Sequence, residues 1–216
     1  MRKVLIVSGG NIDTDFGQKW IAESKPDYLM AVDSGMEFFR QVQLVPQKIV
    51  GDFDSVRKET LNFFQEQEGI QWKILVPEKD DTDTECAIRD AIANGATQIE
   101  LLGATGSRLD HVLGNIELLG IGLQEKVEIS IVDEHNRIRM CDADITFKRK
   151  EQYGKYVSLI PYTEKVSQLT LTGFKYPLKD ATLQGFCSLG ISNEIIEDEA
   201  FIQFKEGILL VVEARD

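Results

Sequence analysis

Tyr28-Leu29-Met30-Ala31-Val32-Asp33-Ser34-Gly35 is an apolar run that stops at an aspartate and gives way to the start of a helix. Ser34 and Glu37 have capping-box spacing, so strand and helix together read as one βα unit. The same unit recurs on both sides of it. Strands are expected near 4–8, 48–51, 72–76, 99–103 and 127–132, with helices in the gaps. Thr82 and Glu85 repeat the capping-box spacing, and Asp110 precedes the periodic run Val112, Leu113, Ile116, Leu119. Six strands with intervening helices predict a three-layer α/β domain around a Rossmann-like parallel sheet.

Beyond Asp133 the pattern changes to short alternating segments at 156–161, 168–171, 191–196, 200–204 and 208–212, separated by turn residues. These predict a smaller all-β sandwich domain. The expected division is 1–140 and 141–216, with the join between Asp133 and Tyr153 and no Pro/Gly/Ser linker to mark it.

The 216 residues are 43% hydrophobic and can bury a sizeable core, which argues against a disordered or fibrous chain. The amino terminus reads as a strand rather than a secretory leader, and no run of eighteen apolar residues occurs, so a soluble cytoplasmic protein is expected. Cys86, Cys141 and Cys187 are far apart and lack the spacing of a zinc site; ordinary buried thiols are expected. A net charge of −12 and a pI near 4.7 argue against nucleic-acid and membrane partners.

Acidic residues follow the expected strands instead of scattering over helix faces. Asp33 follows the second, Asp52 and Asp54 the third, Asp80, Asp81 and Asp83 the fourth, and Asp110 the fifth. Ligands of open α/β sheets bind beyond the carboxyl ends of the strands, so four loops bring carboxylates to one edge. Like charges gathered there repel unless a cation lies between them. Oxygen-only donors suit a hard ion such as Mg²⁺, which bridges carboxylates to substrate phosphates. Phosphoryl-type chemistry follows, with Arg108 and Lys79 neutralising phosphate charge and an aspartate accepting a proton.

Each aspartate taken singly also fits a helix cap or a turn, and Asp81 reads as solvated. Gly9-Gly10-Asn11 is not G-x-G-x-x-G, and no Walker motif occurs, so a conventional dinucleotide or P-loop site is disfavoured. Gly103-Ala104-Thr105-Gly106 is better placed to offer backbone amides to phosphates, although a plain tight turn also explains its glycines. His111 reads as a supporting residue at the helix start, and His135 as structural.

Asp33-Ser34-Gly35, Gly51-Asp52-Phe53-Asp54-Ser55, Lys79-Asp80-Asp81-Thr82-Asp83, Gly106-Ser107-Arg108-Leu109-Asp110-His111 and Gly190-Ile191-Ser192-Asn193-Glu194 resemble, in order, the signature blocks of the thiamine pyrophosphokinase family. The resemblance implies transfer of pyrophosphate from ATP to thiamine by a Mg²⁺-dependent homodimer with its active site at the subunit interface. By that likeness Asp52, Asp54 and Asp83 hold the metal, with catalysis shared among them and Arg108. Thr82 and Arg108 contact phosphates, Lys79, Asp80 and His111 support substrate binding, and Asp33 and Asp110 line the pocket. Ser192 and Asn193 meet the thiamine pyrimidine from the partner's β domain. Two departures stand out: the family's usual Asp-Gly-Gly is Asp33-Ser34-Gly35 here, and both tryptophans lie in the first domain, leaving Phe186 as an aromatic candidate to stack on thiamine. From the residues alone two other classes stay open: a different metal-dependent nucleotide-using transferase, and a non-enzymatic nucleotide- or cofactor-binding module.

Overall fold

Alternation of apolar runs with helical segments produces, in the computed structural model, two units, Met1–Glu134 and His135–Asp216. The structure describes residues 2–76 and 80–216. In the first unit the elements are β1 (Lys3–Val7), α1 (Thr14–Ser24), β2 (Tyr28–Val32), α2 (Gly35–Gln41), β3 (Lys48–Gly51), α3 (Lys58–Gln65), β4 (Gln71–Ile74), α4 (Asp83–Ala93), β5 (Gln98–Leu102), α5 (Leu109–Glu125) and β6 (Glu128–Val132).

Within this unit the strands lie in the order β6-β5-β1-β2-β3-β4, and the pairs are parallel. Val4, Leu5, Ile6 and Val7 are buried at consecutive positions, as required of a strand covered on both faces. Because β1 is flanked by β2 on one side and β5 on the other, the chain reverses its direction of travel across the sheet at β1. That reversal opens the crevice in which doubly wound folds receive ligands.

Two helix starts are fixed by side-chain caps. Asp13 Oδ1 accepts from Phe16 N at 2.8 Å ahead of α1, and Thr82 Oγ1 accepts from Glu85 N at 3.2 Å ahead of α4. The box expected at Ser34 and Glu37 does not form. Ser34 makes no side-chain cap bond and packs against Gly9, where a Cβ would overlap its hydroxyl. Glu37 instead accepts from Arg57 N at 3.1 Å and Thr60 Oγ1 at 2.7 Å, tying α2 to α3.

The second unit contains β7 (Asn136–Cys141), β8 (Ile145–Lys148), β9 (Tyr156–Pro161), β10 (Lys165–Thr172), β11 (Leu178–Gln184), β12 (Asn193–Glu194), β13 (Glu199–Gln203) and β14 (Leu209–Ala214). Its antiparallel strands form the orders β12-β9-β14-β7 and β11-β10-β13-β8. Val157, Leu159, Leu209 and Val211 from the former share one core with Phe147, Val166, Leu171, Leu183 and Ile202 from the latter, making a sandwich. Glu213 is fully buried and holds Arg137 at 2.7 Å, Arg139 at 3.3 Å and Tyr153 N at 3.0 Å. The expected strand at 191–196 contracts to Asn193–Glu194, and Ile191 and Ile196 face solvent.

Candidate functional site

The loops after β1, β2, β3 and β5, the first turn of α4 and α5 as far as Leu118 line a cavity of about 690 Å³ at the carboxyl edge of the parallel sheet. Of the residues expected at the site, Asp33, Thr82, Asp83, Arg108, Asp110 and His111 line it. Asp52, Asp54 and Asp80 are not in its wall; Asp54 and Asp80 are exposed. Lys79 lies outside the described residues.

Asp33 is the electrostatic centre of the cavity. Its carboxyl is pushed up to about 8, first by burial, then by a hydrogen bond with Asp83 and by the charges of Asp83 and Asp52; the amide of Phe53 pulls the other way. In the absence of a bound cation Asp33 therefore favours its protonated form at neutral pH, hydrogen-bonded to Asp83. The backbone here is unusual: Asp33 has φ +44 and Phe53 φ +67, conformations that ordinary L residues seldom adopt. Phe53 N donates to Asp33 Oδ1 at 3.3 Å, and the Phe53 ring meets Trp72 edge-on at 5.4 Å. Gly51, at φ +154, permits this approach, since a Cβ there would overlap Asp33 Oδ1. Asp52 Oδ1 accepts from Asp54 N at 3.1 Å, closing the turn after β3.

Elsewhere in the cavity wall Arg108 and Asp110 are paired. Arg108 Nη2 lies 2.6 Å from Asp110 Oδ2, and this contact, with His111 N at 3.0 Å from Asp110 Oδ1, holds the Asp110 carboxyl at about 2. Both side chains are largely exposed, so an anionic ligand can recruit the guanidinium at little cost. Asp110 is not the helix cap; it lies inside the first turn of α5, which begins at Leu109.

Several residues that shape the site are not identified by the sequence reading. Ser8 Oγ and Thr84 Oγ1 lie 3.0 Å apart, buried, and link the end of β1 to the first turn of α4 beside Asp83. Asn115 Nδ2 donates to Ala104 O at 2.8 Å. Each had a local signal: Ser8 ends an apolar strand, Thr84 adjoins Asp83, and Asn115 stands four residues after His111 on one helix face.

In the second unit Ser192 is exposed at φ +56, its N–H bonded to Ser158 Oγ at 2.9 Å. Asn193 is buried: Oδ1 accepts from Tyr176 N at 3.0 Å, and Nδ2 donates to Tyr176 O at 2.8 Å. Its amide thus holds the backbone rather than facing solvent. Phe186 is fully exposed at φ +63.

Among the described residues no group of three or more Asp, Glu, His or Cys side chains is gathered tightly enough to cage an ion by itself. The donor set nevertheless fits a hard divalent cation that takes one or two carboxylates and completes its shell with phosphate and water oxygens. Burial raises the Asp33 carboxyl first, and the neighbouring Asp83 and Asp52 carboxylates raise it further, so a cation beside them would be favourable.

A doubly wound α/β unit with an acidic, hydrogen-bonding cavity at its topological switch point, followed by a β-sandwich, defines a two-domain class in which the ligand site belongs to the parallel sheet. A family model described as "Thiamin pyrophosphokinase, catalytic domain" matches residues 21–131, and one described as "Thiamin pyrophosphokinase, vitamin B1 binding domain" matches residues 142–209. The chain is 32% identical to the thiamine pyrophosphokinase of Bacillus subtilis (strain 168), with both chains covered in full. A crystal structure of the Bacillus subtilis protein superposes with a TM-score of 0.89 at 30% identity, covering 100% of each chain. That of the Geobacillus thermodenitrificans protein superposes with a TM-score of 0.85 at 32% identity, covering 99% of this chain and 98% of its own. The chain belongs to the thiamine pyrophosphokinase family.

Proposed function

We propose that the chain transfers the terminal pyrophosphate of ATP to the hydroxyl of thiamine, yielding thiamine diphosphate and AMP. The observation that carries this reading is the match of both units, along the whole chain, to a family with this activity, in a molecule whose cavity gathers Asp33, Asp83 and Arg108. Asp52, Asp54 and Asp83 are the residues that would hold Mg²⁺. When bound, the ion supplies positive charge to the phosphate oxygens. Thr82 and Arg108 bind and orient the phosphates, with Lys79, Asp80 and His111 in support. Asp33 and Asp110 line the pocket, and its ionised carboxylates favour the cationic thiazolium.

The thiamine hydroxyl attacks the β-phosphorus in line, the bond from that phosphorus to the bridging oxygen of AMP breaks, and one carboxylate of the group accepts the hydroxyl proton. Catalysis is chiefly positioning and charge neutralisation. The first unit is the catalytic domain, and the second serves thiamine binding and dimerisation. In a homodimer, Ser192 of one copy approaches the thiamine pyrimidine bound to the other, with Asn193 fixing the turn that presents it. The working compartment is the cytoplasm, with no nucleic acid or membrane partner; no described helix is long and apolar enough to cross a membrane.

Incubation with ATP, thiamine and MgCl₂, followed by chromatography, tests the proposal. AMP and thiamine diphosphate should appear in equal amounts. Release of ADP, or thiamine binding without product, would overturn it. Asp83→Asn and Asp54→Asn should each abolish turnover in a folded protein, and near-full activity in both would remove the metal assignment.

A further inference from the structure

Three successive carbonyls of the turn after β5 are each held by a donor from elsewhere in the first unit. Gly103 O accepts from Gly10 N at 2.7 Å and Thr105 O from Asn11 N at 3.0 Å, while Ala104 O accepts from Asn115 Nδ2 at 2.8 Å. A carbonyl can only accept, so the nitrogen of the Asn115 amide must face it. In a trans peptide the N–H that follows a carbonyl lies in the same plane and points in the opposite direction. The amides of Ala104, Thr105 and Gly106 therefore point away from the three donors, and none of them donates to another described residue. The turn, Asn11 and Asn115 all line the cavity.

Two of the three clamps are backbone to backbone and close-fitting: a Cβ on Gly10 would overlap both Gly103 O and Thr105 O. Among the described residues the middle clamp alone depends on a side chain. Asn115 sits four residues beyond His111 on α5, so the same bond also ties the turn to the helix that carries Asp110. Released from Asn115, the Ala104–Thr105 peptide could rotate and turn its carbonyl toward a bound anion, replacing a donor with a repelling acceptor.

We infer that Asn115 is a positioning residue for the nucleotide phosphates: by fixing Ala104 O it holds the Thr105 N–H in the orientation that receives a phosphate oxygen. The inference rests on the cavity being the ATP site, as proposed above. Asn115 acts through the turn and need not touch the substrate itself.

The test uses the full chain and Asn115→Leu, which is similar in size and has no donor. ATP and thiamine are titrated separately by calorimetry, and KM for each is measured with kcat. The Kd and KM for ATP should rise about tenfold, the scale of one lost well-placed hydrogen bond, while the thiamine values stay within about twofold. Asn115→Gln, which keeps the amide donor, should recover a large part of the ATP affinity. Wild-type ATP affinity in a folded Asn115→Leu protein overturns the inference, as does an equal rise for both substrates, which a merely structural residue would give. If that variant does not fold, Asn115→Asp serves: it is isosteric, lacks a donor at neutral pH, and unchanged ATP affinity in it is equally fatal. Failure of the wild-type chain to bind ATP overturns the reading of the cavity itself, and with it this role; normal wild-type binding with an indifferent Asn115 removes only the latter.

Discussion

Replacing Asp33 by Asn tests whether the crowded carboxylates are held at the expense of stability. An Asn Oδ1 can still accept from Phe53 N, its amide can donate to Asp83, and Asn tolerates the φ of +44 found there. The carboxyl is held at about 8 in the folded protein, first by burial, and ionises near 4 in an unfolded chain. Below about pH 4 both states keep the proton and nothing is lost. Between about 4 and about 8 the unfolded chain has released it while the folded one has not, so stability falls as pH rises, and the loss is complete above the folded value. For a fully shielded group the difference would amount to on the order of 5 kcal/mol. Asp33 is only half-buried, so solvent screening reduces the expected penalty to about 1–2 kcal/mol. Ligand-free Asp33→Asn should accordingly melt several degrees above the wild type at pH 8.5, on the scale of roughly 2–4 °C per kcal/mol, and no higher than it at pH 4. The assay is thermal or urea unfolding of both proteins from pH 4 to 9, without nucleotide or divalent ion. Parallel stability curves, with a constant gap across that range, would refute the account of Asp33 as a strained, shared-proton carboxyl.

Gly51→Ala should displace Asp33, because the new methyl group would overlap Asp33 Oδ1; a fall in kcat with loss of the difference between wild type and Asp33→Asn in the pH series checks it. Glu213→Ala leaves Arg137 and Arg139 without their buried counter-charge and should cost about 3 kcal/mol, read as an earlier unfolding transition in urea. Arg108→Ala should leave thermal stability unchanged, since its pair with Asp110 is solvent-exposed, while raising the KM for ATP about tenfold or more.

The sequence by itself determined the alternation of elements, because covered parallel strands need short apolar runs and the helices between them need caps; Asp33, Thr82, Asp83, Arg108, Asp110 and His111 follow directly from their places after those strands. It also revealed the family, since five short blocks keep their order along the chain. Strand β7 was not among the expected segments; its Arg137 and Arg139 find their counter-charge only when Glu213, 76 residues from Arg137, is folded against them. Ser34 had the spacing of a cap, but in the fold it makes no cap bond and lies against Gly9 of another loop, while Glu37 is taken by Arg57 and Thr60. Tertiary structure alone decided that Asp33 pairs with Asp83, that Asn193 faces inward and that Asn115 clamps a turn eleven residues before it. Local pattern records which face a residue occupies and which backbone conformation it favours. Proton sharing and hydrogen bonding between loops depend on distances that exist only once the strands have been ordered into the sheet.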